Sequence, residues 1–190
     1  MRVVLLTSNA IRHKYVANHL ANHLADSIEE FLVISESKKN DSLSTEEIIS
    51  SEIDQHFFER FKTEQKFFSN NDYFSCNVVP VLHNETNLSY VYDIIKKFNP
   101  DLIIAFGTSI IKEPLLSLLK PGRFINLHLG LSPYYRGSGT NFWPFVNNEL
   151  EYVGSTILHI DPGVDTGDIV THVLPKIEIG DNVHAIGCKV

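Results

Sequence analysis

Asn99-Pro100-Asp101-Leu102-Ile103-Ile104-Ala105-Phe106 joins a helix stop to an unbroken apolar run. Successive strand side chains point to opposite faces, so a strand that is apolar at every position must be covered on both sides. That describes the interior of a parallel sheet wrapped by helices. Working upstream, Ser89 to Lys97 reads as the helix that Asn99-Pro100 stops, and Asn77 to Leu82 as a strand. Ser44-Thr45-Glu46-Glu47 is a capping-box signature. From it a long helix is expected to run to about Phe68, with Ile49, Ile53, Phe57 and Phe61 four apart and Glu52, Glu59 and Lys66 opposite. Before it lie a polar loop from Glu36 to Ser42, a strand from Phe31 to Ser35, and a helix over Ala10 to Leu24 with Val16, Leu20 and Leu24 in period. Arg2 to Thr7, short, apolar and β-branched, is the first strand.

Downstream, Lys112 to Leu119 reads as a short helix ended by Lys120-Pro121-Gly122, and Phe124 to His128 as a strand. Leu129 to Thr140 is a loop, Asn141 to Asn148 is helical, and Thr156 to Ile160 is a strand. Asp161-Pro162-Gly163-Val164-Asp165-Thr166-Gly167 is turn chemistry. A strand over Ile169 to Ile179 and a helix capped by Asp181 complete the pattern. Alternating strands and helices imply an α/β fold, an open and mostly parallel sheet with helices on both faces. Residues 1–190 read as a single domain. Val183, Ile186 and Val190 keep the last helix in period to the final residue, so the chain is expected to continue beyond it.

Composition narrows the function classes. With 43% hydrophobic and 21% charged residues the chain can bury a core, roughly 70% of its unfolded surface. Its apolar runs are far shorter than the ~20 residues of a membrane span. Only four apolar residues precede Thr7-Ser8-Asn9, too few for a secretory signal. Cys76 and Cys188 form neither a disulfide framework nor a zinc spacing, and a cytoplasmic location with no metal is expected. A net charge of −7 disfavours nucleic acid as the main partner, although Arg12-His13-Lys14 is a local basic patch. All ten glycines lie between Gly107 and Gly187. The first strand-to-helix turn, Thr7-Ser8-Asn9-Ala10-Ile11-Arg12, therefore lacks the glycines that let a backbone approach a phosphate. An NAD-type dinucleotide enzyme and a P-loop NTPase are disfavoured.

In open parallel sheets, ligands bind beyond the carboxyl ends of the strands. Asn126 and His128, two apart at the end of a strand, share a face. A glycine-rich loop follows, and Asp161 and Asp165 occupy the later turn. An amide, an imidazole and a carboxylate can together stabilise an oxyanion and move a proton. On spacing alone the plainer reading, an asparagine and a histidine closing loop hydrogen bonds, stands ahead.

The run Asn126-Leu127-His128-Leu129-Gly130-Leu131-Ser132-Pro133-Tyr134-Tyr135-Arg136-Gly137 resembles the asparagine-x-histidine…proline…arginine-glycine signature of the folate-dependent formyltransferases. Asp161 through Asp165 and Gly167 to Asp168 resembles their second signature. The resemblance implies a Rossmann-like domain that uses 10-formyltetrahydrofolate as formyl donor. It also implies catalytic roles for Asn126 and protonated His128 as oxyanion donors, and for Asp165 as the group that supports His128 and helps remove the amine proton. Gly107 to Lys112 matches the segment that holds the pterin, with Ser109, Ile110 and Ile111 as contacts and Asp161 on the opposite wall. Plain packing at a helix start is an equal reading for Ile110 and Ile111. Two departures stand out: the usual serine two residues after the histidine is Gly130, and the usual second leucine before the proline is Ser132.

The resemblance is nearest to the nucleotide-sugar N-formyltransferases, which often carry an extra helical segment like the one expected here. A small amine, nucleotide-linked, is the expected acceptor. A glycinamide ribonucleotide acceptor is disfavoured by the glycine-free first loop, and methionyl-tRNA by the charge and by the lack of a C-terminal nucleic-acid-binding domain. A 10-formyltetrahydrofolate hydrolase and a non-catalytic folate-binding module are the competing classes. Further C-terminal residues would supply homodimer or acceptor contacts. His56, Arg60 and Glu64, four apart, read first as a solvated helix face. His159 reads as a core or turn residue, and Phe142, Trp143 and Phe145 as core.

Overall fold

The computed structural model describes residues 1–37 and 51–190. Seven strands form one sheet: β1 (Arg2–Ser8), β2 (Glu30–Ser37), β3 (Asn77–Leu82), β4 (Leu102–Phe106), β5 (Phe124–His128), β6 (Ser155–His159) and β7 (Ile169–Val173). Their spatial order is β3-β2-β1-β4-β5-β6-β7. The pairs from β3 through β5 are parallel, whereas β5–β6 and β6–β7 are antiparallel. The helices are α1 (Ile11–His23), α2 (Glu52–Phe67), α3 (Ser89–Phe98), α4 (Trp143–Val146) and α5 (Val183–Lys189). No helix among the described residues is long and apolar enough to cross a membrane.

Two cores lie on the two sheet faces. On one side Val4, Leu6, Ile34, Ile103 and Ala105 pack against Val91 and Ile95 of α3. On the other, Leu5, Val33 and Phe106 pack against Ala17 of α1. Leu5 thus faces away from its neighbours Val4 and Leu6, as strand geometry requires. The order β2-β1-β4 reverses direction at β1, so a crevice opens between the carboxyl ends of β1 and β4.

Several expected elements differ. Lys112 to Leu119 is a series of turns, not a helix. Pro114 has no N–H, and Ser117 donates its N–H to the Glu113 carboxylate (3.2 Å) rather than to a helical carbonyl. The last strand ends at Val173 instead of Ile179, because its ladder partner starts at Ser155 and Pro175 cannot donate. Asn182, not Asp181, caps α5: its Oδ1 accepts from Ala185 N–H at 2.9 Å. Asp181 instead accepts from Glu178 N–H and from Lys189 Nζ.

The long helix is described from Glu52, with Ser51 as its cap. The Ser44–Glu47 capping box and Ile49 lie outside the described residues. Its spaced apolar residues are not its buried face. Ile53 is 67% and Phe57 40% exposed, whereas Phe58 and Glu64 are buried. Likewise α1 buries His13, Ala17 and Asn18 and leaves Leu24 exposed. His13 and Glu64 turn inward where the helices border a cleft, whereas Asn18 bonds to Asn71, Tyr73 and Ser75 after α2.

Candidate active site

A cleft of about 660 Å³ opens at the carboxyl ends of β1, β4 and β5. Asn126, His128, Gly107, Ser109, Ile110, Ile111, Asp161 and Asp165 all line it. The sequence-derived residues are therefore brought together around one space.

Asp165 is the hub. Its Oδ1 accepts from Asn126 Nδ2 at 2.8 Å. Its Oδ2 lies 3.2 Å from His128 Nδ1 and accepts from Gly137 N–H at 2.9 Å. The residue has φ 53°, a left-handed backbone uncommon outside glycine. The turn that carries it is tied to β6 by His159 N–H donating to Asp168 O at 2.9 Å. His128 is buried, and its Nε2 lies 2.9 Å from Tyr135 O. Both ring nitrogens thus face acceptors, which suits a protonated imidazolium donating twice. Asn126 Nδ2 thus spends one of its two amide hydrogens on Asp165.

The loop from Leu129 to Thr140 is held by a threonine from β6. The buried Thr156 hydroxyl donates to Gly130 O at 2.6 Å and accepts from Ser132 N–H at 3.0 Å. His172 of β7 reaches Ser132 O at 2.9 Å. The departure at Gly130 has a local explanation. A Cβ there would lie 2.6 Å from His128 Nε2 and 2.6 Å from Thr140 Cβ. Thr140 fills the space a serine would need, and its hydroxyl donates to Leu129 O.

On the opposite wall Gly107 has φ 65°, and a Cβ would lie 2.2 Å from the His13 ring. His13 Nδ1 is 2.8 Å from Thr7 Oγ1, which donates to Phe106 O. Having spent its own hydrogen, Thr7 accepts from His13, so His13 Nε2 is left to accept from Arg12 Nε at 3.1 Å. Ile110 is 62% exposed, whereas Ile111 belongs to the core. The Ser109 hydroxyl points to Glu36 and Asn84. Asp161 accepts from Gly163 N–H and Thr166 Oγ1, which braces its own turn.

Beyond these residues, the cleft is lined by Arg12, His56, Arg60, Glu64 and His184. Glu64 Oε1 accepts from Arg12 Nη1 at 2.5 Å and from Arg60 Nε at 2.8 Å. Burial raises the Glu64 carboxyl pKa despite the Arg60 charge beside it. His184 is pushed below the usual histidine value, first by burial and then by His56 and Arg60. His56 stands between the His184 and Phe142 rings, at 4.8 and 4.9 Å. The helical spacing of 56, 60 and 64 therefore marks a cleft wall and not a solvated face. A buried carboxylate leaves no trace in sequence that separates it from a solvated one, so Glu64 read as part of a solvated face and Glu36 as part of a polar loop, whereas both are buried.

Comparison with known proteins places the chain among others of related sequence and fold. The family described as "Formyl transferase" matches residues 1–190. A methionyl-tRNA formyltransferase of Clostridioides difficile (strain 630) is 39% identical over 95 residues, 49% of this chain and 29% of that protein. The chain thus aligns with less than a third of that relative's length. Among solved structures, a phosphoribosylglycinamide formyltransferase from Anaplasma phagocytophilum superposes with TM-score 0.67 and 16% identity, over 100% of this chain and 78% of that one. A sugar N-formyltransferase from Shewanella sp. gives TM-score 0.60 and 18% identity, over 98% and 62%. At such identities these two likenesses speak for the fold alone. The whole-length family match goes further: the chain belongs to the formyl transferase family.

Proposed function

We propose that the chain forms the catalytic part of an N-formyltransferase that moves the formyl group of 10-formyltetrahydrofolate to the primary amine of an anionic acceptor, best a nucleotide-linked amino sugar. One observation carries the reading: a single carboxylate, Asp165, gathers Asn126, His128 and Gly137 N–H in a cleft that residues 107–111 also line. The amine lone pair attacks the formyl carbon, and the carbonyl oxygen becomes an oxyanion. The second Asn126 amide hydrogen donates to it. His128 joins when the oxyanion replaces the Tyr135 carbonyl at Nε2. Asp165 holds the imidazolium and takes part in removing the amine proton. Collapse breaks the bond to the folate nitrogen, which leaves as tetrahydrofolate after protonation. Formyl group and protons balance without a further reactant.

The acceptor class rests on the cleft's cationic wall. Arg12 and Arg60 share one carboxylate, so the trio keeps one positive charge on a chain of net charge −7. A phosphate-bearing acceptor is attracted to such a spot. A second acceptor, methionyl-tRNA, is favoured by the name of the Clostridioides difficile relative. The test supplies 10-formyltetrahydrofolate with nucleotide-linked amino sugars in one arm and methionyl-tRNA in the other, and measures the formylated product. Product only in the tRNA arm reverses the acceptor choice. Formate without formylated product makes the protein a hydrolase.

A further inference from the structure

We propose that Glu36 and Asn87 are positioning residues of the formyl-donor site: from behind the cleft wall they clamp the two ends of Gly107–Lys112 in the shape that receives the reduced folate. The proposal rests on the reading of that segment as the donor-binding wall.

Glu36 lies near the carboxyl end of β2, with no exposed surface. Its Oε2 accepts from Ser109 N–H at 2.8 Å and from Thr108 Oγ1 at 3.3 Å. Its Oε1 accepts from the Ser109 hydroxyl at 2.7 Å and from Asn84 N–H. His83 Nδ1 is 3.9 Å away. Burying a carboxylate is unfavourable unless several donors replace its water. Among the described residues those donors come from two segments, the turn after β3 and residues 108–109. A glutamine could not serve, because one of its two terminal atoms would present hydrogens to groups that also donate.

Asn87 holds the other end. Its Nδ2 donates to Ile110 O at 2.9 Å, and its Oδ1 accepts from Lys112 N–H at 2.7 Å. The amide therefore pairs with two main-chain groups at once. Ile110, exposed to the cleft, stands between the clamps, while Ile111 is rooted in the core. The clamps occupy Ser109 N–H, Ile110 C=O and Lys112 N–H, so a ligand that reads this segment uses its other main-chain groups and the Ile110 side chain. Neither Glu36 nor Asn87 lines the cleft. Their effect on the donor is through the segment.

The experiment titrates 5-formyltetrahydrofolate into wild type, Glu36→Gln and Asn87→Ala by calorimetry, and follows hydrogen exchange of the Ser109 and Lys112 amides. Each substitution is expected to weaken folate binding roughly tenfold or more and to speed exchange at its own end of the segment. In turnover, KM for the donor rises while kcat at saturating donor and KM for the acceptor stay put. A merely structural role would not produce that split. Unchanged folate affinity alongside faster amide exchange overturns the proposal. If Glu36→Gln fails to fold, Asn87→Ala decides alone, and unchanged affinity there overturns it. Wild type that binds no reduced folate removes the donor-site reading and the proposal with it. That failure is distinguishable, since a failed proposal alone leaves wild-type affinity intact.

Discussion

Asp165 carries a left-handed backbone angle at the point where Asn126, His128 and Gly137 meet. Such an angle persists in a non-glycine residue only where the surroundings hold it, and it tends to mark sites where geometry matters. The same crowding governs Gly130. Gly130→Ser, which installs the residue usual in the resembling proteins, puts a Cβ within 2.6 Å of both His128 Nε2 and Thr140 Cβ. It is expected to lower formyl-transfer kcat roughly tenfold or more by displacing the imidazole. Adding Thr140→Ala opens the space and should restore part of the loss, a non-additivity typical of side chains in contact. Equal activity of Gly130→Ser and wild type would show that His128 is not confined there. That Asn126, His128 and Asp165 share one cleft was legible from the two motifs together, not from strand period alone. Glu36, Glu64 and Thr140 were not legible, because their roles depend on burial and on partners distant in sequence.

Elements with one dominant signal were read correctly. β3 and β5 match their sequence limits, and β4 starts at Leu102, one residue after Asp101, where the sequence places the strand's start. One error lies where a side chain competes with the backbone. The Glu113 carboxylate takes the Ser117 N–H, so a helical period over Lys112 to Leu119 yields turns. The contact between α2 and α5 makes a pH prediction. His184 has its pKa depressed by burial, His56 and Arg60, while Glu59 and Glu64 pull the other way. A depressed folded value means that the unfolded chain binds the proton more readily. The stabilising contribution is then present above the unfolded value, near 6.5, and is lost as pH falls through the folded value. Glu64, raised by burial, acts in the opposite sense: its contribution is present below the unfolded carboxylate value and is lost as pH rises through its own raised one. Thermal midpoints of wild type and His184→Gln should therefore converge as pH drops from neutral to about 5.5. Parallel curves would show that His184 titrates no differently in the folded protein.

Across the whole molecule, the sheet separates stability from chemistry. The cores lie on its two faces, and the cleft lies at the carboxyl ends of the central strands. Ile95 of α3 is fully buried in the larger core. Ile95→Ala should cost about 2–5 kcal/mol in denaturant unfolding and leave folate affinity unchanged while the protein stays folded. Reduced affinity in the folded variant would show that the core tunes the site. The fold class was legible because buried strands need continuous apolar runs. Arg12 stood out as part of a local basic patch, but its convergence with Arg60 on Glu64 did not, since net charge and local runs say nothing of which distant charges meet.

The central claim is that formyl transfer runs through His128 in this cleft. The most direct measurement follows formylated acceptor and tetrahydrofolate together, with 10-formyltetrahydrofolate as donor, for wild type and His128→Ala. Wild type is expected to give equal amounts of both products. The account predicts a loss of about 100- to 1,000-fold in the variant, with 5-formyltetrahydrofolate still bound as in wild type. Undiminished turnover by His128→Ala would contradict it.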